Sequence, residues 1–429
     1  MPEKQGDDDK KIRVLWYSDF LKHTGFGNVA EEILTRLNAT GKYSFEVIGI
    51  NHHGEPYNSP KSDYFALRDI PVWPAMGPDG DMLGIGRLKR FIREREFDIL
   101  FVLQDTFNML PIKKDLAMAH REKSFRHIYY FPVDSDLKKD WVTDAVMVAD
   151  HPVTYTKYGL RKVQEQAPLI SIPYIYHGVD TEVFHPFKGG NKERNAYRLK
   201  KFGIDNETLL ITNVNRNQPR KDLPRCILAF VEFRKRYPEI EKAKLYLHCH
   251  IHDSAGWSIA GFIDQYVPKR FQNDIFMADA MSFGPNGLPT EEVAKIYAAS
   301  DIVTSTTLGE GWGLSTTEAM ACATPVVMPG NTSTVEIIGE NEERGYLAKS
   351  GGDPNLYTVM KFDNDIRRPL TDIGSLVEKW KEVWDNPEET GAKVDAAYLW
   401  VQGQTWDIIA RKWDELFTKA YQEVEKERS

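Results

Sequence analysis

"DIVTSTTLGEGWGLSTTEAMACATPVVMP", residues 301–329, carries two short Val-rich runs separated by a helical segment. "DIVTST" (301–306) and "TPVVMP" (324–329) have the length and β-branched content of buried strands. "LSTTEAMACA" between them reads as a helix beginning near Leu314 or Ser315. Strands joined through a helix form parallel βαβ units, and the rest of the chain repeats the pattern. Towards the N-terminus the predicted strands are 12–18, 45–50, 98–103, 127–133, 151–156 and 169–176, with helices such as "NVAEEILTRL" and "GRLKRFIRERE" in the gaps. A polar, charged stretch with Gly189-Gly190 follows, and a second series runs 208–214, 243–251, 273–278, 301–306 and 324–329. The chain therefore divides into a tail at 1–10, a Rossmann-like domain at 11–180, a linker at 181–206, a second such domain at 207–396 and a closing segment at 397–429. The expected fold class is α/β, with two doubly wound parallel sheets, and the cleft between them is the default ligand site. In the closing segment Trp406, Ile409, Trp413, Leu416 and Ala420 share one helical stripe, so this helix must dock on something.

Length agrees with this division, since 429 residues at about 150 per domain suggest two or three domains. A content of 41% hydrophobic and 28% charged residues is that of a soluble globular chain. No apolar run approaches the roughly 20 residues that span a bilayer. The start, "MPEKQGDDDK", lacks the apolar core of a signal peptide and reads as a short disordered tail. Cys226, Cys249 and Cys322 are scattered and form no disulfide framework, which points to a reducing, cytoplasmic location. A net charge of -8 gives no global attraction to nucleic acid or anionic lipid. The local basic run "RLKRFIRER" (87–95) reads as a solvated helix face, or else as a contact to a lipid surface or polyanion.

Three stretches carry candidate chemistry. In "GEGWGLSTTEAM" (309–320) Gly311 and Gly313 clear the turn before a helix, so the unpaired amides of the helix's first turn can approach a phosphate. Glu310 stands before the turn with no helix to cap. Glu318 has two readings, because "STTE" (315–318) is also a capping box in which Glu318 would reach back to the Ser315 amide. In "NVNRNQPRKDLP", directly after a strand, Arg216 and Lys221 open a helix and can together neutralise a diphosphate; the plain reading is a solvated basic loop. In "SDFLKHTGFGNVAEEIL", Gly25-Phe26-Gly27-Asn-Val-Ala30 fits G-x-G-x-x-A, which raises a dinucleotide-binding alternative. The strand ending at Asn51 supplies no acidic residue for a ribose, however, and a glycine loop facing a phosphate suits the spacing better.

Together these pieces resemble glycosyltransferase family 4, retaining enzymes of the GT-B fold. The resemblance rests on the glycine loop (Gly25, Gly27), an R-x4-K pair (Arg216, Lys221) and a late E-x7-E motif (Glu310, Glu318). "YHGVDTEVFHP" (176–186) and the run from "EEVAKIYAAS" through "ATPVV" are similar to further family segments. The resemblance implies two facing Rossmann-like domains and transfer of a sugar from a nucleotide-sugar donor with retention. Glu310 would hold donor-sugar hydroxyls, Glu318 the nucleotide ribose, and Arg216 with Lys221 the leaving diphosphate. Gly313, Leu314 and Ser315 would support the distal phosphate, while Gly25, Phe26 and Gly27 would close over it. The base would sit near "MSFG" (281–284), at Phe283. The final helix would cross back to the first domain. No metal or other cofactor is expected, because the cations suffice for the leaving group.

Where many family members carry a histidine at a first-domain strand end, this chain has Asp134, which takes that catalytic position by resemblance. Asp134-Ser-Asp136 also echoes a metal-binding D-x-D, a reading that the arginine–lysine pair makes redundant. His248, His250 and His252 alternate along "LHCHIHD" and invite a metal reading, but neighbours on one strand face lie nearly 7 Å apart. The expectation is a strand ending near His250, with one histidine close to the nucleotide. The acceptor, whether glycan, lipid, protein or modified nucleic acid, stays open. Two alternatives remain: a catalytically inactive nucleotide- or sugar-binding protein on the same scaffold, and a nicotinamide-dependent oxidoreductase resting on the glycine loop alone.

Overall fold

The computed structural model describes residues 11–20, 24–52, 70–77, 80–250, 253, 255–278, 288–361 and 363–429. The expected tail at 1–10, His252 and Phe283 lie outside them. The chain packs as two compact units. The first holds the chain up to Val133, Leu137–Gly178 and Trp406–Ser429; the second holds Asp134–Asp136 and Val179–Thr405.

In the first unit a parallel sheet is built from β1 (Ile12–Asp19), β2 (Tyr43–Ile50), β3 (Val72–Pro74), β4 (Ile99–Leu103), β5 (Arg126–Phe131) and β6 (His151–Thr154). Its order is β3-β2-β1-β4-β5-β6. The second unit repeats that order with β7 (Leu209–Val214), β8 (Ala243–His248), β9 (Ile275–Met277), β10 (Ile302–Thr304), β11 (Val326–Pro329) and β12 (Tyr346–Ala348), arranged β12-β11-β10-β7-β8-β9. Both are doubly wound sheets with a topological switch point, between β1 and β4 and between β7 and β10. Central strands such as β4, buried at every residue, lack hydrophobic alternation because helices cover both faces.

The strand predicted at 169–176 does not form. Only an isolated bridge, Thr154 to Tyr174, ties this segment to β6, and Pro173 within it has no amide to donate to a ladder. Strands β3 and β12 were not predicted, and neither was the antiparallel hairpin of β13 (Tyr357–Val359) and β14 (Arg367–Pro369). Three-residue strands give no periodicity to read.

The polar stretch 181–206 contains a helix, Gly190–Phe202, anchored by Arg198. That side chain is fully buried, pairs with Asp301 at 3.0 Å and donates to the Ala299 carbonyl at 2.7 Å. Asp301 also accepts from the Leu210 amide at 2.7 Å, which joins the starts of β7 and β10.

The closing helix Trp406–Arg428 docks on the first unit through Trp406, Ile409, Trp413, Phe417, Ala420 and Val424. Phe417 rather than Leu416 is the buried member, four residues on from Trp413 along the same face. Trp413 packs edge-on against Phe101 at 5.4 Å and Tyr130 at 4.6 Å. Charged pairs border the stripe, including Lys42–Asp414 at 2.6 Å, Arg126–Glu423 at 2.9 Å and Arg428–Asp98 at 2.7 Å. Among the described residues no helix is long and apolar enough to cross a membrane. The three cysteines are free and buried.

Candidate functional site

Parallel sheets offer ligands the carboxyl ends of their strands, and the chain leaves β7 at Val214 and β10 at Thr304 side by side across a switch point. The two loops that follow are stitched together. Leu308 donates its amide to the Arg220 carbonyl at 2.9 Å, the Thr306 hydroxyl donates to the Asp222 carbonyl at 2.9 Å, and the Asn215 amide group reaches Ser305 Oγ at 3.3 Å. Two non-glycine residues in this region sit at positive φ, Asp222 at 46° and Thr332 at 44°. Such conformations cost of order 1–3 kcal/mol each and persist where the surroundings over-determine them.

This scaffold brings Lys221 and Glu310 together. Lys221 Nζ donates to Glu310 Oε1, and Arg220 Nη1 lies 3.5 Å from Glu310 Oε2 while donating to the Gly309 carbonyl. The backbone of Glu310 is held as well, its amide donating to Thr332 Oγ1 at 2.9 Å and its carbonyl accepting from Ser333 Oγ at 2.9 Å. Burial opposes ionisation of Glu310, but the charges of Lys221 and Arg220, with hydrogen bonds from Lys221 and Thr307, override it and draw its pKa down to about 2. Burial pulls Lys221 the other way, towards the neutral amine. We take the pair as charged at neutral pH, because two cations face one carboxylate and each side chain keeps about 13–14% of its surface in solvent.

Arg216 does not join them. It is exposed, and its Nε donates to Asp253 Oδ2 at 2.7 Å. The chain turns after it: the Gln218 amide donates to the Arg216 carbonyl at 2.8 Å, and a 3₁₀ turn at Pro219–Lys221 swings the next two cations inwards. The R-x4-K spacing thus overlooked Arg220, whose signal was its place beside Lys221 in "PRKD".

Asp134 packs into the second unit. Its Oδ1 lies 3.0 Å from Arg368 Nη1 and its Oδ2 3.5 Å from Arg220 Nε. Both oxygens face guanidinium groups, so the D-x-D reading finds a carboxylate already matched by cations. Nothing in the sequence around Arg368 announced it.

The capping box at 315–318 does not form. Gly313, at φ 106°, is the cap of the helix Leu314–Ala321, so Ser315 is already helical and Glu318 has no cap amide to reach. Glu318 Oε2 instead accepts from the Tyr297 hydroxyl at 2.9 Å. Burial raises Glu318 to about 7 against the smaller opposing effect of that bond. A carboxyl whose folded pKa exceeds its unfolded value near 4.5 stabilises the fold most below pH 4.5, and that contribution is lost as pH rises through about 7. Glu318→Gln should therefore flatten the fall in melting temperature between pH 5 and pH 8, by an amount equivalent to about 1–3 kcal/mol. Parallel slopes for the two proteins would contradict the shift. The amides of Gly313, Leu314 and Ser315 head this helix, where the first turn has no intrahelical acceptors.

Strand β8 ends at His248, which is buried and shares a hydrogen bond with the Tyr246 hydroxyl at 3.1 Å; burial lowers its pKa to about 4. His250 lies beyond the strand end and is exposed, so the alternating histidine face is not built. Among the described residues no group of three His, Cys, Asp or Glu side chains is placed to hold a metal ion.

In the first unit Gly25, Phe26 and Gly27 form the first turn of the helix Gly25–Ala39 rather than a loop. Thr24 caps it, accepting from the Gly27 amide at 3.0 Å and donating to Asp19 Oδ2 at 2.7 Å. Open space lies where a Cβ on Gly25 would stand. Asn51, after β2, donates to Asp19 Oδ2 at 3.2 Å, which gives the dinucleotide reading no carboxylate at that position.

Residues 197–358, which contain Arg220, Lys221, Glu310 and Glu318, match the family described as glycosyl transferases group 1. The match covers 162 of the 429 residues. The chain is 27% identical over 254 residues to a D-inositol 3-phosphate glycosyltransferase of Acidothermus cellulolyticus, covering 57% of this chain and 53% of that protein. It is 31% identical over 200 residues to the protein of that name from Frankia alni, covering 46% and 45%. It thus spans about half the length of the curated relatives it matches. In structure it is similar to sucrose-phosphate synthase from Thermosynechococcus elongatus, with TM-score 0.70 at 13% identity over 96% of this chain and 99% of that one. It is similar also to HepE of Anabaena in complex with UDP-glucose, with TM-score 0.67 at 13% identity over 95% and 100%. These likenesses show the fold, a GT-B architecture of two doubly wound sheets.

Proposed function

We propose that this protein is a retaining glycosyltransferase that moves a sugar from a nucleotide-sugar donor, with a UDP-sugar as the first candidate, to an acceptor still to be identified. The observation that carries the reading is the convergence of Lys221 and Arg220 on Glu310 at the β7/β10 switch point, within the group 1 segment. UDP-glucose enters as a candidate because HepE, of the same fold, is found in complex with it.

Departure of a nucleoside diphosphate builds negative charge on its distal phosphate, and fixed cations in a partly buried site stabilise it. Lys221 would supply the positive charge that meets the phosphate, while Arg220 is shared between Glu310, Asp134 and the Gly309 carbonyl. The first-turn amides of Gly313, Leu314 and Ser315 add partial positive charge. Arg216, tied to Asp253 at the rim, would swing in as an outer cation. Glu310, its backbone clamped at both ends, would accept hydrogen bonds from donor-sugar hydroxyls, and Glu318 from the ribose. The departing phosphate would take the acceptor's proton, so the reaction calls for neither a protein nucleophile nor a metal. Cytoplasmic placement belongs to the same reading.

A thermal-shift screen with UDP, GDP and ADP, followed by an assay for nucleoside diphosphate release from the matching sugar donors, tests it. At about 100 times its dissociation constant a bound nucleotide should add about 2.7 kcal/mol of stability. Neither a shift nor release with any member of the panel would sink the proposal. A shift without release would favour the binding-protein reading.

A further inference from the structure

Arg368 lies in strand β14 of the small antiparallel hairpin and is 5% exposed. Each of its three guanidinium nitrogens has a partner. Nε and Nη2 meet the two oxygens of Asp363 at 2.7 and 3.0 Å, and Nη1 donates to the Asp134 carbonyl at 2.7 Å while lying 3.0 Å from Asp134 Oδ1. The carbonyl so held stands against Gly309, where a Cβ would come within 2.0 Å of it and 3.2 Å of Arg368 Nη1. Asp134 Oδ2 in turn faces Arg220, which holds the Gly309 carbonyl and faces Glu310. Charges therefore alternate from Asp363 through Arg368, Asp134, Arg220 and Glu310 to Lys221.

We propose that Arg368 is a positioning residue for Glu310: it clamps Asp134 by carbonyl and carboxylate, and so fixes both the backbone at Gly309 and the share of Arg220 that reaches Glu310. The inference rests on the glycosyltransferase reading above. Without Arg368, Asp134 and Asp363 lose their common counter-charge, Asp134 competes for Arg220, and the loop carrying Glu310 loses its wall. Lys221 and the first-turn amides, which would receive the diphosphate, stay in place. Loss of Arg368 should thus act on turnover rather than on nucleotide binding. Lysine cannot replace it, because one ammonium cannot serve Asp363 at two oxygens and Asp134 at two more in a fixed plane.

Arg368→Gln and Arg368→Lys are compared with the wild type for kcat of UDP release from a UDP-sugar, and for UDP affinity by calorimetry. Both variants should lose about 30-fold in kcat while UDP affinity changes less than about 3-fold, since displacement of a reacting geometry by an ångström costs rate before binding. If Arg368→Gln fails to fold, Arg368→Lys, which keeps the charge, carries the test. A lysine variant with wild-type kcat overturns the inference, and so does a parallel loss of UDP affinity and kcat, which would mark general loosening. Wild-type protein that binds UDP but releases none from any UDP-sugar overturns the reaction and this inference together. Turnover by the wild type with unaffected variants overturns the inference alone.

Discussion

Lys221→Ala should abolish most nucleoside diphosphate release, with a fall on the order of 100- to 1000-fold in kcat, the scale seen when one preorganised stabiliser of developing charge is removed. Lys221 is the cation in direct contact with Glu310, and alanine leaves that carboxylate without its nearest counter-charge. The variant should also be less stable. Breaking a buried pair from one side costs about 3–5 kcal/mol, but Arg220 remains beside Glu310 and the pair keeps some solvent contact, so about 1–2 kcal/mol is the expected loss. Single-turnover release and a thermal melt measure the two effects separately. Adding Glu310→Ala to Lys221→Ala should recover part of the stability and none of the turnover, because it removes the stranded charge without restoring the clamp. Turnover by Lys221→Ala within about 3-fold of wild type would remove Lys221 from the leaving-group role.

Gly309→Ala should be strongly damaging although it alters no charge. Gly309 sits at φ 150°, a conformation that side chains rarely adopt, and a Cβ there would stand 2.0 Å from the Asp134 carbonyl oxygen. That oxygen cannot retreat freely, since Arg368 holds it at 2.7 Å. The chain must relieve the clash by moving the loop that carries Glu310, at an expected cost of about 3 kcal/mol or more. At about 2–4 °C per kcal/mol for a unit of this size, the melting temperature should fall by about 6–12 °C. Release of nucleoside diphosphate should fall with it, since Glu310 and Arg220 move with Gly309. A variant that melts with the wild type would mean that the loop yields at little cost. Gly391→Ala is the matching control, because a Cβ there meets open space.

Much of this architecture is legible in the chain because buried parallel strands and covering helices write different periodicities. The βαβ alternation marks most strands of both sheets, and its failures fall where that signal fades. Strands of three residues have no period, and the segment 169–176 has the composition of a strand but carries Pro173 where a ladder needs an amide. The helix at 190–202 hides in polar sequence because its one buried side chain, Arg198, is matched by Asp301 and carbonyls rather than by apolar neighbours.

The site divides along the same line. Local sequence is enough to place Lys221 after one strand, Glu310 after another and a glycine-capped helix start after that, because each depends on residues a few positions apart. Which cation meets Glu310 is another matter. It depends on a 3₁₀ turn that points Arg216 outwards and Arg220 inwards, and on two loops that meet only because β7 and β10 are neighbours. Glu318 turns to Tyr297 because Gly313 has already taken the cap, and Arg368 reaches Asp134 from a hairpin that no local pattern foretells. Motif spacing along the chain determined the candidates, whereas charge pairing across the fold, where solvation is lost and each ion must find a counter-ion, decided which of them stand together.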